Sequence, residues 1–468
     1  TPVQTEAEPL PDPEPEIEYD SFHQNYMRAA DGFFRPDKVL TRAECAQLLY
    51  NLTAEPAQPE AELLPCPYGD VAPEAWYYEA VCRTAAYFTP TEELFRPEDA
   101  ATLTEFTDAL CAALEFPEGE APEALTAACE ELIAAAAPED LPDELSEDPP
   151  QPTLTRAQAA VLLNRALGRI PDAEALADCT ASLLLDVSED RADYAEIVEA
   201  VLPHAYCAEE DGELWQPETL EQSRYTSGVH LRGNSGYVVD EDGRVLRGSG
   251  LLTYQGQKFL RADETGRIFA DGALHPLGGE AVCAGQDGAL LTGCTLEDGY
   301  SFDEDGYYTT GDEALDEAVQ AAIAECTTED MTQLEKLRAC YDYVRAFKYL
   351  GRNAAFGPEV KVIPHDRLLE FGEKIFTTGK GDCYNFTAAF CLLARQLGYS
   401  AEPIVGECAY YWNWGGIAHG WVEVQIDGET WLFDPQIENY NLRAGLSNDE
   451  LSAFQVTYET AHASYRKH

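Results

Sequence analysis

The residue best suited to nucleophilic chemistry is Cys383. It follows the glycine-containing segment TGKGD at residues 378–382 and precedes FTAAFCLLARQLG, a pattern that predicts a helix ending near Gly398. This spacing puts Cys383 in the first helical turn. A helix N-terminus offers partial positive charge and unpaired N–H groups, which favour the nucleophilic thiolate. Cys391 lies inside the same helix among apolar residues and is predicted to be core.

The best candidate for a base is His419, one of only eight histidines. It lies in HGWVEVQI, an alternating pattern that predicts a strand, and the following DG predicts a two-residue hairpin turn. The register is set if Ile426 and Glu429 flank that turn. Trp421 then lies opposite Asp434, and His419 is a diagonal neighbour of that aspartate, about 7–8 Å away between backbones. A carboxylate there can fix the imidazole tautomer and stabilise its charge.

Each of these residues also has a structural interpretation. A single cysteine at a helix start, or a single histidine in a strand, is more often a packing residue than a catalytic one. An aspartate before a proline, as at Asp434, commonly ends a strand. The joint pattern favours chemistry, because the histidine follows Cys383 by 36 residues and the aspartate follows the histidine by 15 on a paired strand.

Residues 315–440 resemble the transglutaminase-like superfamily, which has a papain-like cysteine fold. The resemblance is carried by GKGDCYNFTAAFCLLARQLGYSAEP, HGWVEVQIDGETWLFDPQ and the preceding helix YDYVRAFKY. It implies that Cys383, His419 and Asp434 form a catalytic triad. The sequence departs from the family pattern in one place, where two residues rather than three separate Trp431 from Asp434.

The resemblance implies acyl transfer through a thioester on Cys383. The thiolate attacks a carboxamide or peptide carbonyl, His419 protonates the leaving amine, and Asp434 orients the histidine. Water then gives hydrolysis or deamidation, whereas a lysine amine gives an isopeptide cross-link. The backbone N–H of Cys383 is an expected oxyanion donor, and no metal or organic cofactor is required.

Aromatic residues near the two motifs are candidate substrate contacts. Several of them fall in the loop just before His419, where they can line a substrate groove or simply pack beneath a long loop. The candidates are Tyr384, Tyr411, Trp412, Trp414 and Trp421.

Composition narrows the possible partners. The 468 residues include 30 Lys and Arg but 86 Asp and Glu, a net charge of −56, while 45% hydrophobic residues suffice for several cores. Such an acidic surface repels phosphate backbones and anionic lipid, which argues against nucleic-acid binding. From Asp312 onward, 24 acidic and 13 basic residues give −11, which leaves −45 for residues 1–311. We infer an acidic carrier region followed by a working domain.

The sequence contains no predicted membrane span, no signal peptide and no metal-binding motif. No run of about 18 apolar residues predicts a membrane span. The start at Thr1 without a signal peptide is expected of an exported chain whose signal has been removed. The 14 cysteines show no CxxC and no Cys/His ligand spacing, so no metal site is predicted, and they do not settle the compartment.

Residues 20–205 contain a repeated pattern. LTRAE from Leu40, LTEF from Leu103 and LTRAQ from Leu154 each open an apolar helix pattern with a threonine N-cap, and an FRP triplet precedes the first two. DV-type segments with aromatic residues lie between these units. The first repeat lacks its leading helix and a spare one follows the third, so three-fold closure would join the two ends.

This pattern resembles the S-layer homology (SLH) domain of bacterial surface proteins. The resemblance implies that the arginine of the TRAE motif binds an anionic cell-wall polymer. Arg42 and Arg156 hold that position, whereas the second repeat has Glu105. A working wall anchor and a degenerate scaffold are both open.

Residues 227–311 change to glycine, aspartate and short apolar runs. Gly243, Gly266, Gly288 and Gly306 recur in turn motifs, which predicts successive β-hairpins. GYVVDEDG and GYSFDEDGYYTTG resemble cell-wall- or glucan-binding repeats but lack most of the aromatics of choline cages, so a spacer is predicted. The two DEDG runs do not fit a D-x-D-x-D-G calcium loop and are predicted to be plain turns.

The sequence therefore predicts a multidomain extracellular protein that acts on proteins or peptides at a bacterial cell surface or wall. Two other functions are open, a cysteine peptidase acting on cell-wall or dietary peptides and a catalytically inactive surface binding or assembly module. The predicted domains are a disordered acidic Pro-rich leader (1–20), an α-helical three-repeat SLH-like domain (21–215), a β-hairpin repeat spacer (227–311) and an α+β transglutaminase-like, papain-like domain (312–468).

Overall fold

The chain folds into two compact units. The computed structural model describes residues 19, 21–53, 66–88, 94–117, 119–136, 152–209, 212–221, 225–351, 356–409, 416–446 and 451–468. The first unit comprises Thr1–His230 and Tyr237–Arg247, and the second comprises Leu231–Gly236 and Gly248–His468. Apart from Tyr19, the predicted leader lies outside the described residues. Among those described, no helix is long and apolar enough to cross a membrane.

The first unit is mainly helical. A three-stranded antiparallel sheet, whose strands lie side by side in chain order, accompanies the helices. Its helices are α1 (Arg42–Thr53), α2 (Tyr78–Thr84), α3 (Leu103–Ala113), α4 (Glu123–Ala136), α5 (Arg156–Leu167), α6 (Ala173–Asp178), α7 (Tyr194–Val201) and α8 (Pro217–Glu221). Its strands are β1 (Ser21–His23), β2 (His204–Glu209) and β3 (Gly212–Trp215).

The segments that lead into α1, α3 and α5 form a closed ring of backbone hydrogen bonds. The N–H of Leu40 donates to the carbonyl of Leu154 at 2.8 Å, that of Leu154 to Ala101 at 2.9 Å, and that of Ala101 to Leu40 at 2.9 Å. All three side chains are buried in the helical core. Each segment thus donates to one neighbour and accepts from the other, as a three-fold arrangement of repeats requires.

The spare segment after the third repeat completes the first one. Asp186, which precedes α7, accepts the backbone N–H groups of residues 34–35 at 2.7 and 2.6 Å. Asp70, which precedes α2, accepts those of residues 95–96 at 2.8 and 2.7 Å. Because the same contact recurs between the last segment and the first repeat, the predicted joining of the two ends is confirmed.

Short antiparallel strands and turns follow the helical unit. The boundary between the two units falls within the first two of these strands. They are β4 (Gly228–Arg232), β5 (Ser235–Val239), β6 (Gly250–Tyr254), β7 (Gln257–Arg261), β8 (Ile268–Phe269), β9 (Leu274–Leu277), β10 (Glu280–Cys283), β11 (Cys294–Thr295), β12 (Ser301–Phe302) and β13 (Tyr308–Thr309).

The glycines predicted to form turns do so. Gly243, Gly266, Gly288 and Gly306 have φ between 81° and 95°, and each donates its N–H to the carbonyl three residues earlier. The left-handed conformation explains the glycine at each site. In the first DEDG run, the carboxylate of Asp240 accepts two N–H groups of its own turn, so this run forms a turn.

In its described residues, the rest of the second unit combines five helices with a four-stranded antiparallel sheet. The order across this sheet is Glu429–Phe433, Ile417–Ile426, Ala401–Ala409 and Ser464–Lys467, and a separate parallel pair joins Lys348–Tyr349 to Lys380–Gly381. The helices are α9 (Glu313–Cys326), α10 (Gln333–Arg345), α11 (His365–Thr378), α12 (Cys383–Gln396) and α13 (Pro435–Arg443). The strands are β14 (Lys348–Tyr349), β15 (Lys380–Gly381), β16 (Ala401–Ala409), β17 (Ile417–Ile426), β18 (Glu429–Phe433) and β19 (Ser464–Lys467).

Helix α12 is the centre of this region. Every one of its residues is buried, and its apolar side chains share a core with α9, α10, α11 and the sheet. Strand β17 pairs with β18 such that Ile426 lies opposite Glu429 and Val422 opposite Phe433. The predicted start of α12 and the predicted hairpin register are both confirmed.

Candidate active site

Cys383 is the first residue of α12, and a capping box fixes the helix start. The Asp382 side chain accepts the N–H groups of Tyr384 at 3.1 Å and Asn385 at 3.3 Å. The Asn385 side chain in turn accepts the N–H of Asp382 at 3.0 Å. These bonds satisfy two first-turn amides and hold the cysteine at the positive end of the helix.

The glycines before Cys383 have structural roles. Gly379 ends α11 with φ 66°, a left-handed conformation typical of helix C-termini. A Cβ at Gly381 would lie 2.4 Å from the Cβ of Asn385, so only glycine leaves room for the capping box. The chain can therefore turn directly from one helix into the next at the cysteine.

Strand β17 brings His419 to this helix start. Its neighbour Gly420 packs so closely on α12 that a Cβ would lie 2.8 Å from the Tyr384 ring and 2.9 Å from the Thr387 hydroxyl. The Nε2 of His419 donates to Oδ2 of Asp434 at 2.6 Å, and the Cys383 side chain interacts electrostatically with the imidazole. The structure thus brings together the three residues predicted to form the site.

The electrostatic surroundings favour a positive charge on His419. Burial opposes that charge, because a charged imidazole loses its hydration. The charge and hydrogen bond of Asp434, together with those of Cys383, outweigh burial and raise the pKa of His419 well above its ordinary value. The His419 and Asp434 side chains are 3% and 1% exposed, so these interactions operate away from solvent.

Asp434 uses both carboxylate oxygens. Oδ1 caps α13 by accepting the N–H groups of Gln436 at 3.1 Å and Ile437 at 3.0 Å. Oδ2 accepts from His419 and from the hydroxyl of Tyr465, the latter at 2.9 Å. The strand-ending role of this aspartate and its contact with the histidine therefore coexist, because each uses a different oxygen.

Two tyrosines hold the aspartate from elements distant in sequence. Tyr465 lies on β19, which pairs with β16 at the far edge of the sheet. The Tyr341 hydroxyl, on α10, donates to the backbone carbonyl of Asp434 at 2.9 Å. The YDYVRAFKY motif marks the helix of Tyr341, whereas no motif surrounds Tyr465 to predict its contact with Asp434.

The predicted aromatic substrate contacts have different outcomes. Trp421 is fully buried, and its indole N–H donates to the Tyr458 hydroxyl at 3.0 Å. Its face of the strand is covered by a second apolar cluster, and its contact with substrate stays a prediction. Tyr384 packs against Phe356 and Phe371, and its contact with substrate stays a prediction. The other candidates lie outside the described residues: Tyr411, Trp412 and Trp414.

The predicted polymer-binding arginines link neighbouring repeats. Arg42 is buried, donates to the carbonyl of Phe95 at 2.6 Å and forms an ion pair with Glu105. Its charge is therefore balanced within the protein, and its contact with a polymer stays a prediction. Arg156 donates to the carbonyls of Phe34 at 2.7 Å and Arg28 at 2.9 Å, and its contact with a polymer stays a prediction.

A thiol at a helix start, an imidazole and a buried carboxylate are the arrangement that cysteine acyl-transfer enzymes use. Residues 320–435 match the family described as the transglutaminase-like superfamily. The C-terminal part of the chain therefore contains a transglutaminase-like domain, generally a cysteine-based acyltransferase or protease fold that also has inactive members. The match includes all three residues.

Beyond this family match, the chain shows only weak similarity to known proteins. No curated protein matches the chain. Among solved structures, the choline binding domain of Spr1274 from Streptococcus pneumoniae is 19% identical over 18% of this chain and 95% of that chain, with a TM-score of 0.15. Choline binding protein F from the same organism, with a peptidoglycan analogue, is 18% identical over 23% of this chain and 30% of that chain, also at 0.15. These similarities are too weak to assign a ligand.

Proposed function

We propose that the C-terminal domain is a cysteine enzyme that transfers acyl groups from protein or peptide amides. Cys383 is the nucleophile, His419 the general base and acid, and Asp434 the residue that orients the imidazole. The observation that carries this proposal is the buried chain of contacts from Asp434 through His419 to Cys383. Nothing else in the described second unit combines a thiol with a charged imidazole in this way.

The geometry supports a definite division of labour on the imidazole. Nε2 is committed to Asp434, which leaves Nδ1 for the sulfur. The thiol proton moves to Nδ1, the thiolate attacks the amide carbonyl, and a tetrahedral oxyanion forms. The imidazolium then gives its proton to the leaving amine as the C–N bond breaks, and the thioester on Cys383 remains.

The helix start also supplies a donor for the oxyanion. The Asp382 carboxylate occupies the N–H groups of Tyr384 and Asn385. Within the described residues, no acceptor is bonded to the N–H of Cys383, so this amide is available to a substrate oxygen. The second step reverses the first, with His419 taking a proton from water or from an amine that attacks the thioester.

The contrast with Cys391 supports the choice of Cys383. Both thiols lie on α12, two turns apart. Burial raises the pKa of Cys391, which is surrounded by core side chains and hydrogen-bonds to the carbonyl of Ala401. Only Cys383 has an imidazole beside it, so only this thiol has a proton acceptor.

The cell surface is the place of action that we propose. The support is the resemblance of residues 20–205 to SLH repeats, strengthened by the three-fold closure through Asp186. A cysteine peptidase that acts on wall or dietary peptides is the second candidate, because the same triad performs both reactions. A surface module without catalysis is the third.

The first experiment is the alkylation of Cys383 by iodoacetamide as a function of pH. At about pH 6 an ordinary thiol is less than about 1% ionised and reacts slowly. We expect Cys383 to be modified at that pH at least about a hundredfold faster in the wild-type protein than in His419→Ala. Peptide mapping by mass spectrometry assigns the adduct among the 14 cysteines.

Cys391→Ala is the matched control, because it removes a buried thiol of the same helix and should leave the rate at Cys383 unchanged. Equal rates at Cys383 in wild type and His419→Ala would contradict the enzyme proposal and favour the surface module. Circular dichroism and thermal unfolding show whether each variant is folded.

A second assay separates the two enzymatic alternatives. The protein is incubated with glutamine-containing peptides and a fluorescent primary amine. Incorporation of the amine, lost in Cys383→Ala, indicates cross-linking chemistry, whereas release of ammonia without incorporation indicates deamidation. Cleavage of the peptide backbone instead indicates the peptidase.

A further inference from the structure

Four potential metal ligands converge in the first unit, far in sequence from any motif. His23 ends β1, His204 begins β2, Glu213 lies on β3 and Glu199 lies on α7. One donor atom from each lies within 4.8 Å of the other three. We call this group the His2Glu2 cluster. Among the described residues, no other group of three or more His, Cys, Asp or Glu side chains meets this criterion.

The distances between donor atoms suit a shared ion. Nε2 of His23 lies 3.0 Å from Glu213, and Nε2 of His204 lies 3.2 Å from Glu199 and 3.9 Å from Glu213. Two ligands that each lie about 2 Å from a tetrahedral zinc ion are about 3.3 Å apart. The observed distances between donor atoms are therefore close to the ligand–ligand distance of a tetrahedral site, some shorter and one longer.

Two of the four donor atoms are buried without a hydrogen bond. Glu199 and His204 are fully buried, yet Oε2 of Glu199 and Nε2 of His204, although 3.2 Å apart, form no aligned hydrogen bond with each other or with any other group in the described part of the chain. Burying a carboxylate oxygen and an imidazole nitrogen in this state is unfavourable. Both atoms point into the cluster, where a cation would satisfy them together.

Outer contacts orient these side chains as they do in metal sites. Nδ1 of His204 donates to the backbone carbonyl two residues earlier at 2.8 Å, so Nε2 is the ring atom available to a metal ion. The indole N–H of Trp215 donates to Glu213 at 3.2 Å, and Arg169 donates to Glu199 at 3.1 Å. Metal ligands typically have such second partners, which fix the tautomer and the orientation of each ligand.

We propose that the His2Glu2 cluster binds one divalent transition-metal ion through His23, His204, Glu199 and Glu213. Two imidazoles and two carboxylates favour a transition metal over calcium, which prefers oxygen ligands alone. Zinc fits best, because it accepts imidazole nitrogens and carboxylate oxygens as ligands in a four-coordinate tetrahedral site. The ion would fasten β1, a three-residue strand, to the end of the helical unit.

The test is direct metal binding by the full chain. Protein treated with a chelator is dialysed against Zn²⁺, Co²⁺ or Ca²⁺, and bound metal is measured by elemental analysis. We expect one Zn²⁺ or Co²⁺ per chain and no Ca²⁺. Because the chain has 14 cysteines, the Co²⁺ spectrum is recorded as well, and a His2Glu2 site shows no sulfur-to-metal charge transfer.

Variants locate the ion. His204→Ala and Glu213→Gln should each lower the affinity for Zn²⁺ at least about a hundredfold, since each removes one of four ligands. His275→Ala is the matched control. Its imidazole also pairs with a carboxylate, that of Asp271 at 2.9 Å, but has no further ligands, so its loss should leave the affinity unchanged.

If His204→Ala does not fold, His23→Ala keeps the test valid, because His23 ends an edge strand and its side chain is 14% exposed. Wild-type protein that binds no Zn²⁺ would overturn the proposal, and the buried charges would then be balanced by a proton on His204. Unchanged Zn²⁺ affinity in His23→Ala, or a thiolate signature with Co²⁺, would overturn it equally.

Discussion

The two units each bury a histidine against carboxylates, but with different partners on the second ring nitrogen. In the second unit, His419 donates from Nε2 to Asp434 and interacts with the Cys383 side chain. In the first unit, His204 donates from Nδ1 to a backbone carbonyl and faces two glutamates with Nε2.

The difference shows what determines the chemistry of a buried imidazole. His419 lies between a carboxylate that stabilises its charge and a thiol that can give it a proton, so it is suited to proton transfer. His204 donates from Nδ1 to a backbone carbonyl, and no thiol lies in its cluster. Its Nε2 faces carboxylate oxygens, a set that suits a metal ion.

The largest expected effect is that of Asp434→Asn on the catalytic side of this comparison. The amide oxygen can still cap α13, but the negative charge that stabilises the His419 imidazolium is lost. We expect acyl transfer to fall by about 10³- to 10⁴-fold with little loss of stability, measured as the rate of amine incorporation and by urea unfolding.

Asp434→Ala is the companion variant, since it also removes the cap and should cost about 1 kcal/mol of stability. An Asp434→Asn variant as active as the wild type would contradict the proposal that Asp434 orients His419. We expect the two variants to lose activity equally but to differ in stability. That result would separate the orienting role of Asp434 from its role as a helix cap.

The second prediction concerns the other histidine cluster. At a Zn²⁺ concentration about one hundred times its dissociation constant, the ion should stabilise the first unit by about 2.7 kcal/mol. The measurement is thermal unfolding with and without Zn²⁺, in wild type and in Glu213→Gln. The alkylation rate of Cys383 should not respond to Zn²⁺, and a response would mean that the two histidine sites are not independent.

The sequence predicts the His419–Asp434 contact because everything that sets it is local. A two-residue turn fixes the hairpin register, and a helix-start signal places Cys383. Trp421 shares the strand with His419, but alternation alone does not show that its surroundings are closed by Tyr458 and Tyr465, which come from the last strand and its approach.

The sequence does not predict contacts between segments that are far apart in the chain. The His2Glu2 cluster joins residues 190 positions apart, and no spacing rule links a histidine in a terminal strand to a glutamate in a hairpin. Arg42 is a similar case. Its partner Glu105 is the residue that breaks the arginine pattern in the second repeat, so the exception in one repeat compensates for the charge of another.

The third prediction uses the raised pKa of His419. A raised folded-state pKa contributes stability that is fully present below the ordinary histidine value of about 6.5 and is lost as pH rises through the folded value. The difference in unfolding free energy between wild type and His419→Gln should therefore be largest at acidic pH and should decrease at alkaline pH. Between the unfolded and folded pKa values, the decrease should be about 1.4 kcal/mol per pH unit.

The unfolding is followed by urea titration at several pH values, with tryptophan fluorescence as the signal. His275→Gln is a matched control, because that histidine shows a single pairing with Asp271 near the surface. A difference that grows toward alkaline pH has the wrong sign and would show that His419 is neutral in the folded protein.

The smallest expected effect is that of Tyr465→Phe, which removes one of the donors to Asp434. The carboxylate keeps three other hydrogen bonds, from His419 and from two backbone amides, so the loss should be about 1 kcal/mol, or about fivefold in acyl transfer. Tyr465 acts through Asp434 and His419, so it is a positioning residue.

A merely structural tyrosine would change stability without changing the pH profile. Without the Tyr465 hydroxyl, the Asp434 carboxylate interacts more strongly with His419. The acidic limb of the pH profile of Cys383 alkylation should therefore shift in Tyr465→Phe. Tyr458→Phe is the matched control, because its hydroxyl bonds to Trp421 and Glu423 but not to Asp434. If both variants leave the profile in place, Tyr465 supports the sheet edge alone, and the imidazole is oriented by Asp434 without help from the last strand.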